Sequence, residues 1–143
     1  MPRDPLDTLA RVRRLANEET LAALARTLQI EGEADDLAKE AERIIATELV
    51  AAGALDGDDS VVEAFAAWLP GARQRAYQAR EACERAQADV ARARAVLTMT
   101  RAALEAVATL AKQQAARRDA AAAQKEQHAL DDATRGRDGS PPF

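Results

Sequence analysis

The residues that could do chemistry are few and stand far apart along the chain. Cys83 is the only cysteine and His128 the only histidine. Cys83 is expected to be a small buried hydrophobic residue, and His128, in a C-terminal segment with few large apolar residues, is expected to be solvated at the surface. Asp56, Asp58 and Asp59 cluster, but not with the spacing of a calcium-binding loop. We therefore predict no catalytic residue, no cofactor and no metal site, and we do not expect an enzyme.

Composition favours long helices over a globular core. Hydrophobic residues make up 48% of the 143-residue chain, but aromatic residues only 3%, and much of the hydrophobic share is alanine. Alanine buries little surface and is the best helix former. Long helices rich in Ala, Glu, Arg and Leu are typical of coiled coils. We predict an all-α fold: a long two-helix antiparallel coiled-coil hairpin with an overhanging C-terminal helix.

The charge and the N-terminus bear on partners and location. The net charge is -4, from 20 basic and 24 acidic residues, and this mild, mixed balance argues against nucleic acid as a partner. One cysteine cannot form an internal disulfide, and we find neither a signal peptide nor a membrane-spanning stretch. We expect a cytoplasmic protein that reaches the cytoplasmic face of a membrane only through protein partners.

Glycine and acidic residues divide the chain into two helices. We predict one coiled-coil domain over residues 5–135, with helix 1 at about 5–52, a turn at 53–60 and helix 2 at about 61–134. Pro5 suits the first turn of helix 1, and Ser60 with Glu63 forms a capping-box pattern for helix 2. Residues 136–143, rich in glycine and proline, are predicted to be a disordered tail.

Helix 2 carries the clearest periodicity. Alternating steps of three and four residues give an apolar heptad seam, formed by Val62, Phe65, Leu69, Ala72, Ala76, Ala79, Cys83, Ala86, Val90, Ala93, Leu97, Thr100, Leu104, Val107 and Ala111. Pro70 removes one helical hydrogen bond, and we favour a kink there over a fresh helix start because the heptad phase continues across it. The seam ends at Ala111. In the antiparallel pairing helix 1 also ends near residue 110 of helix 2, so the segment from Lys112 to Thr134 is predicted to project beyond helix 1.

The periodicity of helix 1 is less regular. Its second half has a heptad pattern formed by Ile30, Ala34, Leu37, Ala41 and Ile44, whereas Leu21, Leu24 and Leu28 follow another phase. We therefore predict a register slip at residues 30–32, where Gly32 is either a hinge or simply a tolerated helix glycine. With the turn centred at residues 56–58, facing residues have numbers that sum to about 115.

Two surface features stand out. Phe65, Trp68 and Leu69 crowd near the turn and form either a partner-binding tip or a cap on the hairpin end. Charge is also segregated, with acidic residues near the turn and basic residues at the opposite end. This asymmetry either orients the chain toward charged partners or reflects ordinary solvated faces. The basic residues proposed to bind a partner are Arg11, Arg13, Arg14, Lys112, Arg117 and Arg118.

This layout resembles the FliJ family of flagellar export proteins and its YscO-type relatives in type III secretion. The matching features are a helix opening at residues 5–13, a short turn, a longer helix with an aromatic residue near its start, and a charged end at residues 124–132. The resemblance implies a stalk similar to the coiled coil of the rotary ATP synthase gamma subunit. The stalk would dock into the hexameric export ATPase and couple it to the export gate, with export chaperones as further partners.

The resemblance also implies site residues. The family's tip patch is matched by Phe65, Leu69 and Ala72, whereas Ala76 departs from the polar or basic residue expected next. Helix 1 has Ile44, Ile45 and Leu49 where the family often has tyrosines. The basic end of the hairpin is then predicted to engage the ATPase.

Two other classes of function remain open at this point. The chain could be a generic coiled-coil scaffold or chaperone with an unrelated partner, or an enzyme regulator that uses only its tip. Binding to a hexameric ATPase would separate the export stalk from both alternatives.

Overall fold

Two long helices account for the whole described structure. The computed structural model describes residues 4–54 and 58–139, and 98% of them are helical. Helix α1 spans Pro5–Ala54 and helix α2 spans Asp59–Asp138. They pack against each other, and the described residues contain no strand. The prediction of an all-α fold is confirmed, whereas residues 55–57 of the predicted turn and 140–143 of the predicted tail lie outside the described residues.

Each helix begins at an aspartate cap. The Leu6 amide donates to Asp4 Oδ1 at 3.0 Å, with Pro5 as the first helical residue, as predicted. The Ser60 amide donates to Asp58 Oδ1 at 3.1 Å. Asp58, not Ser60, is therefore the N-cap of α2, two residues before the predicted position, and Ser60 and Glu63 of the predicted capping box both lie inside the helix.

Helix α2 is longer than predicted at its C-terminal end. It continues without interruption through Pro70, which excludes a fresh helix start there. It also includes Gly136, Arg137 and Asp138, which we had assigned to the disordered tail. Arg135 and Arg137 lie in the last turn, where positive charge compensates the helix dipole and offsets the cost of the glycine.

The chain divides into two compact units. The first unit combines Met1–Leu15 with Arg101–Phe143, and the second is Ala16–Thr100. Each unit therefore contains a piece of both helices.

Every buried residue of the described chain lies on the heptad seam predicted for α2. In the second unit these residues are Ala72, Ala76, Cys83, Ala86, Val90 and Leu97, and in the first unit Val107. None of the described side chains falls below 2% exposure. The seam thus forms a thin apolar contact, not a globular core.

Helix α1 contributes no buried residue. Between residues 17 and 45, half-buried positions recur at alternating steps of three and four without a break: Asn17, Thr20, Leu24, Thr27, Glu31, Ala34, Ala38, Ala41 and Ile45. The predicted register is therefore wrong in part. Ala34 and Ala41 do face α2, but Ile30, Leu37 and Ile44 are exposed, and no slip occurs near Gly32.

Small side chains explain this choice of register. Alanine is the commonest residue of the α2 seam and holds six of its fifteen positions, so favourable dispersion contacts require the two backbones to approach closely. Ala34, Ala38 and Ala41 permit this approach, whereas a row of isoleucine and leucine would hold the helices apart. The two threonines of the α1 seam satisfy themselves locally, since Thr20 Oγ1 donates to the Ala16 carbonyl at 2.7 Å and Thr27 Oγ1 to the Leu24 carbonyl at 2.9 Å. The buried Oδ1 of Asn17, in the same seam, has no hydrogen-bond partner among the described residues.

A further observation concerns membranes. Among the described residues, neither helix has a stretch that is both long and apolar enough to cross a bilayer.

Candidate protein-binding surfaces

The aromatic residues at the start of α2 form one side of a surface groove in the second unit. The Phe65 and Trp68 rings lie 5.8 Å apart between centroids, with an angle of 40° between their planes. Both side chains are half-buried. The groove, of about 520 Å³, is also lined by Ile44, Ala51 and Val61. An aromatic pair beside an open apolar groove can receive a side chain from another protein.

The other two predicted tip residues are placed differently. Leu69 is half-buried, and neither Leu69 nor Ala72 lines the groove. Ala72 is only 5% exposed and belongs to the buried seam. The structure thus brings Phe65 and Trp68 together on one surface and assigns Ala72 to the contact between the helices.

The predicted basic residues all lie in the first unit. Arg11, Arg13, Arg14, Lys112, Arg117 and Arg118 are exposed without exception. In residues 4–15 and 101–118, seven basic side chains accompany three acidic ones. A surface with an excess of positive charge attracts carboxylates, and its arginines can bind them with paired hydrogen bonds.

One of these arginines joins the two helices. Arg118 Nη2 donates to Asp4 Oδ2 at 3.1 Å and to Gln114 Oε1 at 3.5 Å. The Leu6 amide, followed by the Arg118 guanidinium, lowers the pKa of Asp4 below its ordinary value. Asp4 therefore caps α1 and also pairs with α2, which fixes the start of α1 beside Arg118.

The second unit carries the opposite charge. It contains sixteen acidic and nine basic residues, whereas the first unit contains eight acidic and eleven basic residues. Several acidic side chains are paired, because Lys39 binds Asp35 at 2.7 Å, Arg43 binds Glu40 and Arg80 binds Glu42. These pairs are exposed, so each contributes little to stability. By residue count, the second unit is therefore net acidic and the first unit net basic.

The chemically reactive residues have ordinary surroundings. Cys83 lies in the seam, with its Sγ 4.0 Å from Asp35 Oδ1. Burial, and then the carboxylates of Asp35 and Glu31, raise the pKa of Cys83, which keeps the thiol protonated and unreactive. His128 is exposed. Within residues 4–54 and 58–139 no three His, Cys, Asp or Glu side chains are grouped to hold a metal ion.

Sequence reasoning missed a second groove in the same unit. It has a volume of about 810 Å³ and is lined by Ile45, Leu49, Pro70, Arg73, Tyr77 and Arg80, among others. The sequence pattern that could have revealed this groove is a column of residues next to the seam on each helix. In these columns Leu49 lies one heptad after Glu42, and Arg73 lies one heptad before Arg80, the ion-pair partner of Glu42.

The comparisons with known proteins add no family. No family model, no curated protein and no solved structure matches this chain.

Proposed function

We propose that this chain is an antiparallel coiled-coil hairpin with a C-terminal overhang that serves as the stalk of a flagellar or type III export apparatus. In this role it docks into the hexameric export ATPase and couples it to the export gate. The observation that carries the proposal is the first unit, in which exposed basic side chains surround the start of α1 and the segment of α2 beside it.

Side-chain contacts support the antiparallel direction. Asp35 meets Cys83 and Glu42 meets Arg80 in the second unit, and Asp4 meets Arg118 in the first. Residue numbers fall along α1 as they rise along α2. The sums of these paired numbers are 118, 122 and 122, above the predicted value of 115, so the α2 partner of each α1 residue lies about one to two helical turns beyond the predicted one.

Exposure supports the overhang. Asp4 pairs with Arg118, and α2 continues from there to Asp138. Every residue from 108 to 139 is exposed. A segment of twenty residues after Arg118 would extend about 30 Å, which is long enough to enter the central opening of a protein ring.

The chemistry of the basic surface suits such a ring. Long arginine and lysine side chains reach carboxylates on several subunits, so contact can persist as the subunits change state. Each exposed pair is worth about 1 kcal/mol or less, and the binding weakens with salt. The tip groove at Phe65 and Trp68 would then face the export gate, and export chaperones are further candidates for it.

ATP hydrolysis by a hexameric type III export ATPase tests the proposal. Reversal of Arg13, Arg14, Arg117 and Arg118 to glutamate should abolish the stimulation caused by the unmodified chain, with helix content retained. The matched control reverses four acidic residues of the second unit, Glu33, Asp36, Asp59 and Glu63, to lysine. Stimulation that survives in the first variant, or is lost equally in both, would refute the proposed orientation.

A generic scaffold or chaperone makes a different prediction. If the chain is a scaffold or chaperone, the unmodified chain should not stimulate the ATPase at any concentration tested. Its partner interaction would depend on the tip groove, so Phe65→Ala with Trp68→Ala would abolish partner binding while reversal of the basic residues would not.

A further inference from the structure

The side of the helix pair opposite the tip groove carries a regular column of residues from each helix. On α1, positions directly after the seam are Leu28, Asp35, Glu42 and Leu49, spaced by seven. On α2 the matching column is Arg73, Arg80, Gln87 and Arg94. All eight residues lie in the second unit. We call this surface the arginine flank.

The middle of the arginine flank is closed by polar contacts within the chain. Glu42 binds Arg80. Asp35 lies 4.0 Å from Cys83, which in turn accepts a hydrogen bond from Gln87 at 3.7 Å. At these two levels, acidic side chains of α1 already have partners, and little is left to attract another molecule.

The ends of the arginine flank are open. Where α1 has leucine in place of an acid, the facing arginine has no carboxylate to bind. Neither Arg73 nor Arg94 forms an ion pair with any residue in the described part of the chain. Leu49 is 58% exposed and Leu28 is 39% exposed. Leu49 and Arg73 line the same groove, with Ile45 and Tyr77 beside them.

An exposed leucine beside an unpaired arginine defines the chemistry of an occupant. It must offer apolar side chains to the leucines and carboxylates to the arginines. The surrounding unit is acidic, so the arginines are local exceptions that would orient such a molecule. The two open levels are separated by three heptads, about 31 Å along the helix. A partner helix with the same heptad repeat would therefore contact both.

We propose that the arginine flank binds an acidic amphipathic helix of a partner protein, which packs as a third helix against α1 and α2. The occupant would place apolar residues over Leu28 and Leu49 and carboxylates beside Arg73 and Arg94. This surface is separate from the tip groove and from the basic residues of the first unit, and the proposal holds for a stalk and for a scaffold alike.

The test uses a synthetic helical peptide of about four heptads, with leucine on its apolar stripe and glutamate at the flanking positions. A second peptide has lysine in place of glutamate. Calorimetric titration of the full chain should show binding of the glutamate peptide and none of the lysine peptide. Arg73→Glu with Arg94→Glu should weaken binding of the glutamate peptide by at least about tenfold and create binding of the lysine peptide.

Three controls keep the result specific. Arg75→Glu, on the opposite flank, should leave the affinity unchanged within a factor of about two, and circular dichroism should show equal helix content in all variants. Loss of binding in the Arg13, Arg14, Arg117 and Arg118 reversal, with Arg73→Glu still binding, would overturn the proposal and assign the peptide to the first unit. Absence of binding to the unmodified chain would also overturn it.

Self-association is the remaining outcome. If sedimentation equilibrium shows a dimer of the unmodified chain that Arg73→Glu with Arg94→Glu dissociates, the arginine flank binds a second copy and the proposed partner helix is excluded.

Discussion

At the scale of single residues, two roles were open for Gly32: a hinge in α1 or an ordinary glycine that the helix tolerates. It lies inside α1, where an added Cβ would have no neighbour within 4 Å. Seam positions continue on either side of it without a slip. The structure therefore places no packing demand on this glycine.

We expect Gly32→Ala to stabilise the protein by about 0.5–1 kcal/mol, because glycine loses more backbone entropy than alanine on helix formation. Urea denaturation followed by circular dichroism measures the change. Ala25→Gly, at another exposed site of α1, should give a loss of similar size. A decrease in stability with Gly32→Ala would show that the helix must bend there.

Cys83 gives a prediction that depends on pH. Burial and the neighbouring carboxylates of Asp35 and Glu31 raise the pKa of Cys83, so the thiolate forms only at higher pH than in an unfolded chain. We expect alkylation by iodoacetamide to be slower than for a free cysteine, with its midpoint at higher pH. Asp35→Asn should lower that midpoint, since one of the negative charges opposing the thiolate is removed.

The sign of the linkage follows from the direction of this shift. Because the neutral thiol is favoured in the folded state, Cys83 contributes stability below its unfolded pKa, and this contribution is lost as the pH rises through the folded pKa. A midpoint equal to that of the denatured protein would contradict the buried position of the thiol.

At the scale of the helices, Val90 tests the seam directly. It is 3% exposed, the lowest value among the buried residues. We expect Val90→Asp to destabilise the protein by a few kcal/mol, because it places a charge without a partner in the contact between helices. Ala88→Asp is the control at an exposed position and should cost about 0.5 kcal/mol or less. Thermal unfolding measures the loss of stability in each variant. Equal losses at the two positions would show that the seam is assigned wrongly.

The difference between α2 and α1 shows what sequence reasoning could reach. The heptad seam of α2 was predictable because apolar residues such as Val90 and Leu97 repeat along it in one phase, and all the buried residues lie on it. In α1 the hydrophobic residues were a misleading guide. Most of its seam positions are alanine, threonine or a polar residue, with only Leu24 and Ile45 as large hydrophobic members, and the close approach demanded by the other helix favours these small side chains.

The candidate surfaces were predictable to different degrees. The basic residues and the Phe65–Trp68 pair could be found from residue type and position alone. The arginine flank could not, because it depends on which α1 residue lies opposite Arg73. That pairing follows from the register, which the sequence predicted with an error of about one to two helical turns.

At the scale of the whole chain, burial is unevenly distributed between the units. The second unit holds six of the seven buried residues, and no residue from 108 to 139 is less than 36% exposed. Helical hydrogen bonds that lack tertiary support open readily. The two ends of α2 should therefore differ in local stability despite belonging to one continuous helix.

Hydrogen–deuterium exchange followed by mass spectrometry measures this difference. We expect peptides from residues 72–97 to be the slowest to exchange in α2, and peptides from residues 119–138 to exchange much faster. Removal of residues 119–143 should leave the exchange of residues 72–97 unchanged, because no described side chain of the removed segment is buried. Comparable protection along the whole of α2 would mean that a further contact covers its C-terminal end.

The alanine seam has a last consequence, which concerns tolerance to mutation. A contact made by small side chains requires only that a limited set of positions stay small, such as Ala72, Ala76 and Ala86. The exposed remainder can change widely, since substitutions away from packed or capped sites usually alter stability by less than about 0.5 kcal/mol. The scaffold therefore leaves most of its surface free to diverge, so that charge and groove chemistry can be refitted to a new partner without rebuilding the helices.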